Sequence, residues 1–153
     1  MLDPLNLPSF EADIRCDKGG SHIIFDSLRG KFVALTPEEW VRQHFVNYLV
    51  KYLHFPSAFI ANEVGLKLNN TRRRCDTLVY TRSLHPLCIV EYKRPSVEIT
   101  EAVFSQIARY NSVLLAPFLI VTNGMRHYCC RFRGDSYIYL KSIPSYEEMN
   151  SVF

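Results

Sequence analysis

The chain has 153 residues, of which 48% are hydrophobic and 22% charged, and it carries a formal net charge of +3. This length and balance indicate one globular domain, and they exclude both a disordered chain and a helicase or other translocating motor. The sequence has neither the roughly 18-residue apolar run of a membrane span nor the phosphate loop of ATPases, so neither a membrane nor ATP is expected as a partner. The five cysteines include no C-x-x-C pair, which predicts reduced thiols in a cytoplasmic protein.

Short strands and turns are predicted in the N-terminal part of the chain. Residues 1–10 contain two prolines and show little periodicity, so we expect a surface arm. Strand-like runs at 12–16 and 22–25 flank a glycine-containing turn at 17–20, and this pattern predicts a β-hairpin. A third short strand is expected at 31–35.

The clearest helix start in the sequence lies at Thr36. Thr36 is a good N-cap, Pro37 suits the first helical position, and Glu39 completes a capping box. Apolar residues follow at helical spacing, which predicts a helix over 37–53. These apolar residues are Val41, Phe45, Tyr48, Leu49 and Tyr52.

Several strands are predicted for the middle of the chain. Hydrophobic residues alternate with polar ones over 63–68, which is typical of a half-buried strand. Asn69 and Asn70 predict a turn, and 74–80 is expected to form the next strand. Residues 87–92 are apolar apart from one glutamate, and this pattern predicts a central strand that is buried on both faces.

The last third of the chain is predicted to add a second helix and further strands. Thr100 is the expected N-cap of this helix. Its apolar face is predicted to carry Val103, Ile107, Tyr110 and Leu114. Strands are expected at 118–122, 127–132 and 136–140, and Asn123-Gly124 predicts a hairpin between the first two.

The order of these elements predicts a fold of the α/β (mixed α+β) class, with helices flanking a central mixed sheet and a β-hairpin at the N-terminus. Residues 1–20 would form the arm and the start of the hairpin, and 20–145 would form a single domain. Residues 146–153 would form a C-terminal tail, with a short helix expected after Pro144.

Two charged residues interrupt the most apolar predicted strand. Glu91 and Lys93 lie two positions apart, so their side chains point to the same face. If this strand pairs with the preceding one as a hairpin, Asp76 lies opposite Glu91, and two carboxylates at that distance repel unless a divalent cation lies between them. A neighbouring lysine can then stabilise charge on a phosphate or position an attacking water. These residues predict Mg²⁺-dependent hydrolysis of a phosphodiester.

The pattern Asp76…Glu91-x-Lys93 resembles the D…(D/E)-x-K motif of the PD-(D/E)XK nuclease superfamily. Gln106-x-x-x-Tyr110 on the following helix is similar to the Q-x-x-x-Y element of the RecB-type branch and of the N-terminal nuclease domain of type I restriction enzyme R subunits. The sequences of four further segments resemble the corresponding segments of small stand-alone proteins of that R-subunit family. They are residues 36–43, 90–96, 106–111 and 121–124.

The resemblance covers about residues 20–145 and implies a restriction-endonuclease-like core. It implies that Asp76 and Glu91 bind Mg²⁺, for which Mn²⁺ can substitute. The main-chain carbonyl of Tyr92 would be a further metal ligand, and Lys93 would be the catalytic lysine.

Other candidate site residues have ordinary structural explanations as well. Gln106 and Tyr110 share a helix face; they would orient DNA or groups near the metal, or Tyr110 would pack in the core. Glu39 would reach the metal from the first helix, as a helix glutamate does in several relatives, or serve only as a capping residue. Glu63 would be a surface charge or lie near the site.

Arginines close to these residues are candidates for binding DNA phosphates. A run of three directly precedes Asp76 and is equally well explained as a solvated turn. The predicted nucleic-acid-binding residues are Arg72, Arg73, Arg74, Arg94 and Arg109.

The function that the resemblance implies is that of a Mg²⁺-dependent endodeoxyribonuclease, with DNA and other restriction or defence subunits as partners. R subunits carry a motor domain and assemble with further subunits that are outside this sequence, so activity of the chain alone stays open. One alternative is a non-catalytic module that retains the nuclease fold and binds DNA or a partner. Another is a small homo-oligomeric scaffold in which Asp76 and Lys93 form a buried salt bridge.

Overall fold

The computed structural model describes residues 2–68 and 70–152, without the side chains of five of them. These five are Leu66, Leu68, Thr71, Arg73 and Val113. The described residues form nine β-strands and three α-helices. In chain order the elements are β1 (Ile14–Cys16), β2 (His22–Asp26), β3 (Lys31–Ala34), α1 (Pro37–Tyr52), β4 (Ile60–Leu68), β5 (Thr71–Tyr80), β6 (Pro86–Tyr92), α2 (Glu101–Asn111), β7 (Phe118–Thr122), β8 (His127–Arg133), β9 (Ser136–Leu140) and α3 (Tyr146–Asn150). None of the described helices has the length and apolar character to cross a membrane.

Strands β1, β2 and β3 form a small antiparallel sheet ahead of α1. The turn between β1 and β2 is closed by Asp17, whose Oδ1 accepts hydrogen bonds from the N–H groups of Gly19 and Ser21, both at 2.9 Å. Gly20 has a φ of +85°, which suits glycine because it has no Cβ atom. The predicted hairpin and the predicted third strand are therefore confirmed, and they form one sheet.

A six-stranded sheet in the order β4-β5-β6-β7-β8-β9 forms the centre of the protein. Neighbouring strands run antiparallel, except for β6 and β7, which are parallel. Parallel neighbours need a crossover connection, and α2 provides it. The predicted central mixed sheet with flanking helices is confirmed. The predicted turn at 69–70 lies partly outside the described residues.

Helices cover the sheet on both faces. Phe45 and Leu49 of α1 pack in one buried cluster with Val90 of β6, and Phe104 of α2 packs in a second buried cluster with Ile89 of β6. Because neighbouring residues of β6 enter opposite clusters, this strand is buried on both faces, as predicted. A charged group at the end of such a strand therefore needs a partner close by.

Helix α1 begins where predicted, but the capping box is only half formed. Thr36 Oγ1 accepts a hydrogen bond from the N–H of Glu39 at 3.0 Å. The N–H of Thr36 donates to a main-chain carbonyl instead of the Glu39 carboxylate. That carboxylate is bound by Arg29 and Gln43 and pairs with Arg42. The interpretation of Glu39 as a capping residue alone is therefore wrong.

The buried face of α2 differs from the predicted one. Phe104 and Ala108 are each 2% exposed and Asn111 is fully buried, whereas Tyr110 is 40% exposed. The predicted face lies one position along the helix from the buried one. The actual face is set by Phe104, whose ring packs against tyrosines of β8 and β9.

The segment expected to form a C-terminal tail contains α3, and this helix packs into the core. Tyr146 is 1% exposed and Met149 is fully buried, and Tyr146 Oη donates a hydrogen bond to the carbonyl of Tyr80 at 2.9 Å. The short helix expected after Pro144 is confirmed. Its side chains complete the cluster on the α1 face of the sheet.

Shortening Met149 to alanine is expected to lower the free energy of unfolding by about 2 to 5 kcal/mol, because the truncation leaves a cavity in the core. Urea denaturation measures this change. Val152→Ala is the control, since Val152 is 38% exposed in the same segment and its truncation should cost less than about 0.5 kcal/mol. Equally small effects of both substitutions would contradict a core role for α3.

Candidate active site

Two acidic side chains meet where β5 pairs with β6. The antiparallel register pairs Thr77 with Val90, so the next position along the strands sets Asp76 opposite Glu91. The Glu91 carboxyl lies within hydrogen-bonding reach of the Asp76 carboxyl. Asp76 Oδ2 also accepts a hydrogen bond from the N–H of Tyr92 at 3.0 Å. The structure therefore brings together the two carboxyls that the sequence places opposite each other.

The pKa of Glu91 in this pair of carboxyls is strongly shifted. Burial and the neighbouring Asp76 carboxylate raise the pKa of Glu91 to about 9, and Lys93 and the side chain of Asn111 oppose this effect without offsetting it. The pair therefore keeps a proton at neutral pH, since two carboxylates this close repel each other when both are ionised. Burial, with a smaller effect of the same carboxyls, also raises the pKa of Cys75 to about 12, so this thiol stays protonated and is a poor nucleophile.

In the absence of metal ions, the stability of the domain is expected to fall as the pH rises toward this shifted pKa. Glu91 titrates near pH 4.5 in the unfolded chain and near pH 9 in the folded protein. Between these values the folded state binds more protons, so the free energy of unfolding decreases by up to about 1.4 kcal/mol per pH unit. The stabilisation is complete below pH 4.5 and is lost as the pH passes about 9.

Urea denaturation in EDTA at a series of pH values measures this dependence, with Glu91→Gln as the matched variant. Glutamine does not titrate, so the difference between the two proteins isolates Glu91 from the histidines and the other titrating groups. Parallel pH profiles for the two proteins would contradict the shifted pKa.

Lys93 follows β6 directly and is anchored by its main chain. Its N–H donates a hydrogen bond to the carbonyl of Thr122 at 2.9 Å, one position beyond the parallel pairing of Tyr92 with Thr122. The partly buried side chain brings its positive charge close to Glu91. Asp76, Glu91, Tyr92 and Lys93 therefore lie together at one end of β6.

Sequence reasoning missed one polar residue of this site, Asn111 at the end of α2. Asn111 is fully buried, its Nδ2 donates to the carbonyl of Ile107 at 3.0 Å, and its side chain lies close enough to Glu91 to lower the pKa of that carboxyl. Among the described residues its Oδ1 has no hydrogen-bond partner, which is uncommon for a buried oxygen. Its spacing of seven residues from Phe104, on the same helix face, is the signal that could have found it.

Gln106 and Tyr110 lie on the exposed side of α2. They share a face of the helix, as their four-residue spacing predicts. The helix turns Asn111 toward the carboxyls and presents Tyr110, the residue before it, at the surface. Packing of Tyr110 in the core is therefore wrong, and its role beside DNA stays a prediction.

Glu39 is engaged by side chains outside the carboxyl pair. Its Oε1 accepts a hydrogen bond from Arg29 at 2.8 Å, and its Oε2 accepts one from Gln43 at 3.0 Å and pairs with Arg42 across 3.1 Å. A metal contact from Glu39 would require it to leave these partners, and it stays a prediction. Across the described ranges, no group of three or more His, Cys, Asp or Glu side chains is placed to hold a metal ion.

The predicted DNA-binding arginines are exposed wherever their side chains are described. They are Arg72, Arg74, Arg94 and Arg109. The side chain of Arg73 lies outside the described part of the chain. Arg74 forms an ion pair with Glu63, so Glu63 is a partner of these arginines and not an isolated surface charge.

The oxygen atoms at this end of β6 suit a hard divalent cation. Mg²⁺ is usually bound by one or two carboxylates together with water and substrate phosphate oxygens. Asp76, Glu91 and the main-chain carbonyl of Tyr92 offer such donors, and the unpaired Oδ1 of Asn111 belongs to a side chain in contact with Glu91. The residues present therefore fit Mg²⁺. Among the described residues the site supplies two carboxylates, and no third carboxylate joins them.

Comparisons with known proteins relate the chain to restriction enzymes. The family described as Type I restriction enzyme R protein N terminus matches residues 37–144. A fragment structure described as an HsdR subunit of a type I restriction enzyme from Vibrio vulnificus YJ016 is similar over 76% of this chain, with a TM-score of 0.57 and 20% sequence identity. The chain spans 25% of that structure's length. No curated protein sequence matches the chain.

The family match runs from the start of α1 to beyond β9, so it contains the whole six-stranded sheet and the site at the end of β6. The HsdR fragment shares this fold at low sequence identity. Both findings are consistent with the PD-(D/E)XK superfamily that the motif predicts. The chain belongs to the family of type I restriction enzyme R protein N termini.

Proposed function

We propose that the chain is a metal-dependent nuclease domain that hydrolyses phosphodiester bonds within DNA. The observation that carries this proposal is the contact between the Asp76 and Glu91 carboxyls, with Lys93 beside them, at the end of a buried strand. Membership of a family of restriction enzyme R proteins supports it. The proposal places the chain in the cytoplasm, in agreement with its five free cysteines.

Each residue of the site would have a different role in hydrolysis. Asp76, Glu91 and the main-chain carbonyl of Tyr92 would hold Mg²⁺, and Mn²⁺ is expected to substitute. When bound, the ion would supply a Lewis acid that activates water and neutralises phosphate charge. Lys93 would donate hydrogen bonds to the phosphate as negative charge develops on it. Asn111 would keep the Glu91 carboxylate in its orientation.

Exposed arginines would hold the DNA backbone across the site. Arg72 and Arg74 precede the first carboxyl on β5, and Arg94 follows the lysine. The exposed side of α2 adds Gln106, Arg109 and Tyr110. Contacts with phosphates carry no sequence information, and they weaken as the salt concentration rises. Sequence preference would then have to come from partner subunits.

A second candidate function is a non-catalytic module that docks DNA or another restriction subunit. The observation that favours it is that the chain spans only 25% of the HsdR fragment, so parts needed for turnover could lie elsewhere. A scaffold held by a salt bridge between Asp76 and Lys93 has less support. Among the ion pairs found between described residues, none joins these two side chains.

The test combines thermal melting with DNA cleavage. Mn²⁺ at 100 times its Kd should stabilise the folded protein by about 2.7 kcal/mol, which raises the Tm of a chain of this size by roughly 5 to 10 °C. Stabilisation with cleavage of plasmid or single-stranded DNA supports the nuclease. Stabilisation without cleavage favours the docking module. The absence of any response to Mn²⁺ would overturn the metal centre.

A further inference from the structure

A buried arginine on α1 reaches the main chain of the first carboxylate residue. Arg42 is 7% exposed, and its Nη1 donates a hydrogen bond to the carbonyl of Asp76 at 2.8 Å. Its Nη2 donates to Glu63 Oε1 at 2.5 Å, and its Nε lies 3.1 Å from Glu39 Oε2. One guanidinium therefore links α1 to β4 and to the strand that carries Asp76, which suits the planar fork of arginine.

The charge of Arg42 is balanced inside the protein by a chain of alternating ion pairs. Glu39 and Glu63 flank Arg42. Burial by itself would lower the pKa of Arg42, but these two carboxylates raise it. The full chain of ion pairs runs through Asp26, Arg29, Glu39, Arg42, Glu63 and Arg74. A buried charge with such partners is stable only while the set stays complete.

The strand pairing next to Asp76 is interrupted on the β4 side. The register passes from Asn62 opposite Thr77 to Val64 opposite Cys75 and skips one position between them. That position on β4 is Glu63, which has a φ of +57°. Such a backbone conformation is uncommon outside glycine and persists where surrounding contacts maintain it.

The Arg42 guanidinium bonds to both strands at the position where their pairing is interrupted. Since Glu63 leaves the ladder opposite Asp76, the Asp76 carbonyl accepts its hydrogen bond from Arg42, and the Glu63 carboxylate turns to the same arginine. On the other side, the N–H of Tyr92 holds the Asp76 carboxylate, and the Arg42 guanidinium lies 5.7 Å from the centre of the Tyr92 ring. Asp76 is therefore fixed through both its carbonyl and its carboxylate.

We propose that Arg42 is a positioning residue for Asp76, which sets the metal affinity of the carboxyl pair by fixing the main chain of β5 where it leaves its pairing with β4. This inference rests on the proposed metal centre. Arg42 bonds to the main-chain carbonyl of Asp76 and not to its carboxyl group, so it acts through Asp76. Loss of comparable outer contacts weakens metal binding by about 10-fold to 100-fold in other metal sites.

The test compares Arg42→Lys with Arg29→Lys. Both substitutions keep the charge and remove the arginine fork from the same ion-pair chain, but Arg29 bonds to Asp26 and Glu39 and not to Asp76. The readout is the Kd for Mn²⁺, obtained from the dependence of Tm on Mn²⁺ concentration. We expect Arg42→Lys to raise this Kd at least about tenfold, and Arg29→Lys to raise it less than about twofold.

Other outcomes of this comparison are equally informative. Equal Kd values for wild type and Arg42→Lys would overturn the positioning role while leaving the metal centre in place. A wild-type protein that does not respond to Mn²⁺ would overturn the metal centre itself and this inference with it. If Arg42→Lys does not fold, the double variant Arg42→Gln/Glu63→Gln removes one positive and one negative charge together and is measured in the same way, with the same expected loss of affinity.

Discussion

Asp76→Asn is expected to abolish both stabilisation by Mn²⁺ and cleavage of DNA. Asparagine keeps the size of the side chain and can still receive the hydrogen bond of the Tyr92 N–H, so the fold should survive. It removes one of the two carboxylates that would hold the ion, and the Lewis acid would be lost with it. We expect the Tm to become independent of Mn²⁺ and the cleavage rate to fall by at least about 10²-fold.

The matched control for this variant is Asp135→Asn. Asp135 is exposed in the turn between β8 and β9, so its replacement changes the net charge equally and leaves the site intact. Glu91→Gln should behave like Asp76→Asn, since it removes the other carboxylate. A full Mn²⁺ response by Asp76→Asn would show that the ion binds elsewhere, and would end the assignment of the carboxyl pair as its ligands.

Lys93→Ala is expected to lower the rate of DNA cleavage while leaving metal binding nearly unchanged. The lysine is not a ligand in the proposed site, so the Kd for Mn²⁺ should stay within a few-fold of the wild-type value. Its ammonium group would act on the phosphate as charge develops there. Removal of a comparable donor costs about 10² to 10³ in kcat. Single-turnover cleavage at saturating Mn²⁺ measures this loss without interference from metal affinity.

Lys141→Ala is the control for the lysine, because Lys141 is exposed just beyond β9. It removes the same charge and should leave cleavage unchanged within about twofold. If Lys93→Ala cleaves DNA at the wild-type rate, the role of Lys93 in the chemistry is wrong. If instead it loses Mn²⁺ binding together with cleavage, Lys93 supports the metal centre and not the transition state.

The elements that could be predicted are those whose local pattern agrees with their tertiary environment. The apolar run of β6 predicts a strand buried on both faces, and the structure buries it so. The start of β5 was harder, because the strand is predicted to begin at Arg74 and the arginine run before Asp76 fits a solvated turn equally well. In the structure β5 begins at Thr71, and Arg72 and Arg74 pair with Lys67 and Gly65 of β4. This pairing depends on the neighbouring strand, so the local sequence of the arginine run does not predict it.

Some residues of the candidate site could likewise be predicted from the sequence, and others could not. Asp76 and Glu91 could be expected close together because their strands form a hairpin, but the register shifts by one residue between Val79 and Tyr80, so the turn alone does not set them opposite each other. Asn111 and Arg42 were missed, since they come from helices whose rotation against the sheet depends on tertiary packing. For α2, that rotation is set by Phe104 against the β8 and β9 tyrosines.

The most direct measurement of the central claim is the conversion of supercoiled plasmid to nicked and linear forms by the wild-type chain. It is run with Mg²⁺ and with EDTA, beside Lys93→Ala at the same protein concentration. We predict cleavage by the wild type in Mg²⁺, none in EDTA, and a rate at least about 10²-fold lower for the variant. Cleavage that persists in EDTA, or that is equal in the two proteins, would contradict a metal-dependent nuclease centred on Asp76, Glu91 and Lys93.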